Sequence, residues 1–217
     1  MAQYKPVPID IFPIPVSSLT LPTQENQEIK NFFFSHIQQE EKGIYTNDGC
    51  PTLFHYKDIF THYKEELSWL KTKIEKYANF VYKDIMNHVT QLEVTDAWFN
   101  YAKKGSSQYI HNHANSTLSG TLFIDVKDDF LIFHSPYHQP ISANNIIHDP
   151  PAQTASKYGY NYHEDQKEMN TPDGTILFWP SYLKHSYLPT KHEGRLTISF
   201  NCLPTHFNYL YSIKPKT

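Results

Sequence analysis

The stretch Arg195-Leu196-Thr197-Ile198-Ser199-Phe200-Asn201 alternates polar and apolar side chains at every step. Successive side chains on a β-strand point to opposite faces, so Arg195, Thr197, Ser199 and Asn201 share one face and Leu196, Ile198 and Phe200 the other. The same short-strand reading extends back through residues 97–101, 109–113, 120–126, 130–133 and 175–179, with turn signals at Lys103-Lys104-Gly105-Ser106, Asp128-Asp129 and Pro172-Asp173-Gly174. The C-terminal half is therefore read as β-structure.

Ahead of residue 93 the periodicity is different. Prolines at 6, 8, 13, 15 and 22 each remove a backbone donor, which points to an edge strand over residues 9–16. Thr23 as a cap, Glu25 and Glu28 in the first turn, and Ile29, Phe32 and Phe33 at apolar spacing predict a helix running to about Glu40. A loop containing Asn47-Asp48-Gly49 follows. Phe60, Tyr63, Leu67, Leu70, Ile74, Tyr77 and Val81 then recur at steps of three and four, the pattern of one helix over residues 60–88. Helices first and strands after imply an α+β, mainly β layout in which helices brace a barrel or sandwich.

At 217 residues the chain fits a single domain. Its parts are an N-terminal strand and helices (1–92), a β core (93–203) and a tail (204–217). Residues 135–171, rich in Pro, Asn, His and Tyr, read either as a lid over a site, with Tyr158-Gly159-Tyr160 as its cover and hinge, or as a surface insertion.

Composition narrows the function classes. Sixteen Tyr and fourteen Phe against seven Gly suit pleated surfaces. A net charge of −3 provides no basic footprint for nucleic acid. Two cysteines, Cys50 and Cys202, are too few for a disulfide framework and too far apart for a metal knuckle, which points to a reducing, cytoplasmic setting. No stretch approaches the roughly 18 apolar residues of a membrane span, so a soluble protein is expected.

The chemistry-bearing residues are histidines. On a strand, His111 and His113 project to the same side while Asn112 faces away, so two imidazoles enter one space. His185, after a strand that ends in the turn Trp179-Pro180-Ser181, is the natural third ligand for a single divalent metal. Arg195 stands ten positions further on, at the head of the polar face described above. Buried polar groups are costly without partners, and a guanidinium fork matches a carboxylate, with Thr197 and Ser199 adding hydroxyls. A buried ion pair between Arg195 and an acidic side chain would satisfy the same constraint.

This combination resembles the Fe(II)/2-oxoglutarate-dependent oxygenase superfamily, whose usual pattern is His-x-Asp/Glu, a distal His and a basic residue about ten positions on. More narrowly, Trp98-Phe99-Asn100, the run from Ile110 to Gly120, Leu177-Phe178-Trp179-Pro180-Ser181 through His185, and Arg195 to Asn201 resemble a 2-oxoglutarate/Fe(II) oxygenase family of marine bacteria and tailed phages. The resemblance implies a double-stranded β-helix, or jelly roll, with Fe(II) on His111, His113 and His185. It further implies 2-oxoglutarate bound by Arg195 with Thr197 or Ser199, O₂ as co-reactant, and an unidentified small-molecule or peptide substrate. Asn100 and Tyr109, on strands entering the site, become candidates for a cosubstrate or substrate hydrogen bond. Position 113 departs from the pattern, because a neutral His stands where the superfamily has a carboxylate. Three histidines also suit catalytic zinc, which leaves open a cupin-like or hydrolytic metalloenzyme, and a noncatalytic metal- or acid-binding jelly roll.

Overall fold

A strand with one apolar face and one face of packed polar groups has no side to give to water, and must be covered twice. The computed structural model, which describes residues 14–38, 44–47, 50–54, 58–127, 129–136, 166–207 and 211–212, meets that demand with three layers. The strands are β1 (Ser17–Thr20), β2 (Ile44–Asn47), β3 (Cys50–Phe54), β4 (Leu92–Ala102), β5 (Gln108–His111), β6 (Leu118–Asp125), β7 (Phe130–His134), β8 (Gln166–Asn170), β9 (Thr175–Pro180), β10 (His185–Tyr187) and β11 (Arg195–Pro204), followed by the small hairpin β12 (His206–Phe207) and β13 (Tyr211–Ser212). A seven-stranded sheet in the order β1-β9-β6-β11-β4-β3-β2 faces a four-stranded sheet β5-β10-β7-β8, and every pairing is antiparallel.

The period-two pattern sorts the large sheet's side chains. Leu122, Ile124, Ile176, Phe178, Leu196, Ile198, Phe200 and Cys202 pack on one side against Ile29, Phe33, Leu67, Leu70 and Ile74 of the helical layer. Phe123, Leu177 and Trp179 point the other way and meet Leu131 and Phe133 of the small sheet. The expected mainly-β fold with bracing helices, the double-stranded β-helix, is what forms.

Several local expectations are corrected. The N-terminal edge strand is present, but at Ser17–Thr20 and not within 9–16: Ile14 to Val16 are outside any strand, and residues 9–13 fall outside the described residues. Pairing with β9 begins once Pro13 and Pro15, which cannot donate to a ladder, have passed. The first helix (α1, Thr23–Phe32) is preceded by Pro22 and has no side-chain cap, so Thr23 is its first helical residue and not its cap; it continues as a π-turn over Phe33–Ile37. The second expected helix is two. Asp58 caps a short α2 (Ile59–His62) by accepting from Phe60 N and Thr61 N. Its Oδ1 also accepts from Ala97 N at 3.1 Å, which pins this turn to β4. Tyr63 leaves the helical conformation, and α3 (Lys64–Phe80) starts afresh before a π-turn at Val81–Ile85.

Two segments expected to be loops contain strands. The register Asn47↔Cys50 makes β2 and β3 a hairpin with two residues between them, and Asp48-Gly49 is the sequence signal for such a turn. β8 lies inside the supposed 135–171 loop and pairs with β7 at the sheet edge. Its mostly exposed side chains, Lys167 and Glu168 among them, protect an edge and carry no apolar alternation to read. The Tyr158-Gly159-Tyr160 lid lies outside the described residues.

Candidate metal centre

His111 ends β5 and His185 begins β10, and the two are register partners across that ladder. His113 arrives differently. It lies two residues past the end of β5, not on the strand as the His-x-His spacing suggests, and is placed by its backbone N–H donating to Ser181 O at 3.0 Å. The rings converge all the same: centroids are 4.3 Å apart for His111 and His185, 5.4 Å for His111 and His113, and 5.2 Å for His113 and His185. One nitrogen from each lies within 4.8 Å of the others.

Which nitrogen is available follows from the partners. Nδ1 of His111 meets Tyr109 O at 2.9 Å, Nδ1 of His185 meets Leu183 O at 3.1 Å, and Nδ1 of His113 meets Asn201 Oδ1 at 2.5 Å. A carbonyl oxygen can only accept, so each Nδ1 carries its hydrogen and each Nε2 keeps its lone pair. Burial works in the same direction. It pushes the His185 pKa down to about 3, helped by the neighbouring His111, and lowers that of His111. Neutral imidazoles with free Nε2 atoms are what a divalent metal requires.

The open cavity beside them has Arg195 in its wall. The guanidinium is 5% exposed, lies over the Tyr187 ring at 4.2 Å, and burial lowers its pKa. Its Nε has no hydrogen-bond partner among the described residues, and the nearest carboxylate oxygen, Asp129 Oδ2, is 3.8 Å away. A buried ion pair therefore only partly accounts for Arg195: the cation is compensated at a distance and left short of acceptors.

Three imidazoles facing a buried cation across one cavity is the donor set of a metal with an anionic co-ligand. A sequence profile described as "Putative 2OG-Fe(II) oxygenase" matches residues 96–201, which span all of these groups. Over these residues, just under half of the chain, the sequence matches the 2OG-Fe(II) oxygenase family. No curated protein matches the sequence of this oxygenase. Its fold is similar to the solved structure of the non-heme alpha ketoglutarate dependent epimerase SnoN from nogalamycin biosynthesis (TM-score 0.64, 12% identity, 94% of this chain and 91% of that one). It is also similar to HygX from Streptomyces hygroscopicus, solved with nickel and 2-oxoglutarate bound (TM-score 0.57, 12% identity, 89% and 84%). A third similar structure is a Pseudomonas putida prolyl-4-hydroxylase (TM-score 0.50, 10% identity, 87% and 92%).

The residues of the oxygenase cavity fit iron and a keto acid. Thr197 and Ser199 line it beside Arg195, as their shared strand face predicts. Asn100 lines it too, but its amide is committed: Oδ1 accepts from Trp98 Nε1 at 3.1 Å, and Nδ2 donates to Thr197 Oγ1 at 3.3 Å and Ser199 Oγ at 3.0 Å. Both hydroxyls accept from Asn100, which leaves the Thr197 hydrogen available to an anion, while Ser199 Oγ also pairs with Thr121 Oγ1 at 3.2 Å. Asn100 therefore orients the hydroxyl that would meet a cosubstrate.

Tyr109 is placed away from the other expected site residues. The residue is 65% exposed and is not among those lining the cavity, while its carbonyl holds His111. The cause is a bulge. Three steps on β5, from Gln108 to His111, oppose two on β10, from Tyr187 to His185, so Gln108 and His111 both face the cavity while Tyr109 and Ile110 turn outward. Sequence reading missed Gln108, Thr121, Leu131 and Tyr187 as lining residues. Trp98 was missed as well, although its place two residues before Asn100 on one strand face is the signal that could have found it; the bulge that admits Gln108 leaves no sequence signal.

Proposed function

We propose that this oxygenase couples conversion of 2-oxoglutarate to succinate and CO₂ with hydroxylation of a second substrate, at a metal held by His111, His113 and His185. One observation carries the reading: three Nδ1 atoms are locked onto carbonyl oxygens, so three Nε2 lone pairs face a cavity that also holds a buried, under-partnered Arg195. Iron(II) and 2-oxoglutarate, when bound, supply the activation of O₂ that an unreactive C–H bond requires.

The chain's own residues bind and orient. Arg195 would hold the distal carboxylate of 2-oxoglutarate, and the Thr197 hydroxyl, turned by Asn100 beside Ser199, would donate to the same anion. Tyr187, against the guanidinium at 4.2 Å, and Phe123, at 5.8 Å, shield it from water, which strengthens its attraction for a carboxylate. Trp98, stacked on His113, and Trp179, edge-on to His185, hold the ligand rings. SnoN and HygX have been solved with Fe3+ and nickel respectively, each together with alpha ketoglutarate or 2-oxoglutarate, which supports the same pairing of metal and keto acid here.

A second reading has its own observation. The all-histidine donor set also suits zinc, and a cupin-like or hydrolytic centre would use Arg195 for a substrate carboxylate. The reading also takes residues 1–217 as one domain of a phage or bacterial type acting in the cytoplasm, supported by two cysteines and by the lack, among the described residues, of any helix long and apolar enough to cross a membrane.

Anaerobic titration of the metal-free protein with iron(II), then with 2-oxoglutarate, tests the assignment. Tight keto acid binding that requires the metal, followed by succinate release on admission of air, is expected. Tight metal binding with no keto acid binding would transfer the site to the zinc reading.

A further inference from the structure

The family pattern places a carboxylate where this chain has His113, and a carboxylate lies nearby one residue removed. Asn201 Oδ1 accepts from His113 Nδ1 at 2.5 Å, and Asn201 Nδ2 donates to Asp96 Oδ2 at 2.8 Å. The second contact fixes the first. An ionised carboxylate only accepts, so the amide must turn its NH₂ towards Asp96 and its oxygen towards His113. Ser119 Oγ, donating to the same Oδ1 at 2.9 Å, agrees with that orientation. Asn201 is 3% exposed and is locked from three sides, while Thr95 Oγ1 steadies the other Asp96 oxygen at 2.9 Å.

The placement of Asp96 is itself built. β11 runs against β4 in one unbroken register from Arg195↔Ala102 to Asn201↔Asp96, and shifts only beyond that pair, where Cys202 meets Val94 and Thr95 is the extra residue. That register puts Asp96 directly opposite Asn201 and, by strand alternation, on the same face as Trp98 and Asn100.

We propose that Asp96, acting through Asn201, is the positioning residue for the third metal ligand: it sets the Nδ1–H tautomer of His113 and supplies, at one remove, the negative charge that the family pattern carries in the ligand itself. The inference rests on the reading of the three histidines as a metal centre. His111 and His185 need no such device, because backbone carbonyls cannot rotate away from them. A side-chain amide can, and without a carboxylate behind it Asn201 is free to present NH₂ to His113, moving the imidazole hydrogen to Nε2 and withdrawing the ligand lone pair.

Asp96→Asn changes one atom type and little volume, and is the discriminating variant. Two readouts are taken on metal-free protein: the tautomer of His113 by nitrogen-15 NMR of the imidazole, and the affinity for cobalt(II) by calorimetry. Wild type is expected to carry the hydrogen on Nδ1. Asp96→Asn is expected to shift His113 towards the Nε2–H form and to weaken cobalt(II) binding by about 10–100-fold, the usual range for loss of a partner behind a ligand. Asp96→Glu should recover part of the affinity. Asn201→Asp, which brings a carboxylate directly onto Nδ1, should retain the Nδ1–H tautomer and bind cobalt(II) at least as well as Asp96→Asn; it also serves if Asp96→Asn does not fold. An unchanged tautomer and affinity in Asp96→Asn, or an Nε2–H tautomer in Asn201→Asp, overturns the inference. Failure of wild type to bind cobalt(II) would overturn the metal-centre reading instead, and the tautomer comparison would still decide the role of Asp96.

Discussion

His111 and His185 face one another as direct register partners at the end of the β5–β10 ladder, with ring centroids 4.3 Å apart. The two proposed ligands are thus set by backbone hydrogen bonding between strands, and their relative position does not depend on side-chain packing alone. Replacing either with Ala should lower metal affinity by more than about 100-fold while the ladder, which uses backbone groups, persists. Calorimetric metal titration together with far-UV circular dichroism checks both halves.

Arg195 should separate keto acid binding from metal binding. Arg195→Ala removes the cation that faces the cavity and is expected to cost 2-oxoglutarate affinity on the order of 100-fold, by the size of a buried charge-assisted pair, with metal affinity changed little. Lys184→Ala, whose side chain does not line the cavity, is the control and should leave both constants unchanged. Titration of the two variants with 2-oxoglutarate in the presence of iron(II) distinguishes them.

His113→Asp restores the ligand type of the family pattern. It should keep iron(II) bound. A folded variant that binds no metal would show that position 113 is not equivalent to the carboxylate of that pattern.

Gly120 is a steric requirement of the helical-side core. A Cβ there would stand 2.2 Å from Phe200 Cζ and 2.4 Å from Leu177 O, and the second of these is backbone that cannot rotate aside. Gly120→Ala should destabilise the protein by about 3 kcal/mol, the upper end of overpacking costs. Adding Phe200→Leu should return part of that, since it relieves only the side-chain clash. Urea unfolding of the three variants measures it.

The pH dependence of the metal-free protein has a definite sign. Burial holds His185 at about 3 against 6.5 for an exposed imidazole, and lowers His111 in the same direction, so the folded state binds fewer protons than the unfolded state between those limits. Stability from these groups is fully present above about pH 6.5 and is lost as the pH falls towards 3, by up to about 1.4 kcal/mol per pH unit for His185. A His185→Leu variant should show a shallower loss than wild type over pH 6.5 to 4 in urea unfolding. Equal slopes would mean that His185 is not held neutral by the fold.

Strand alternation carried much of this molecule's design in readable form. Leu196, Ile198 and Phe200 face the helices and Arg195, Thr197 and Ser199 face the cavity because a period of two leaves them no alternative. Where the ladder slips by one residue, the reading slips with it. Tyr109 was assigned to the site and turns away from the cavity, and Gln108 was passed over and lines it; Asp96 stands behind Asn201 by a cross-strand pairing that the sequence of either strand alone does not announce. β8 and β10 were missed for a different reason: one is a charged edge and the other only three residues long, so neither has enough apolar pattern to register.

The sequence by itself determined the layer plan, the three histidines and the arginine, because side-chain periodicity and ligand chemistry are local properties of the chain. The tertiary structure alone decided which nitrogen each histidine offers, which residues turn into the cavity, and that an aspartate stands behind the one ligand the family pattern does not anticipate. Those depend on hydrogen bonds between segments as much as 105 residues apart, as from Asn201 to Asp96, and on register shifts that come into being only when two strands pair.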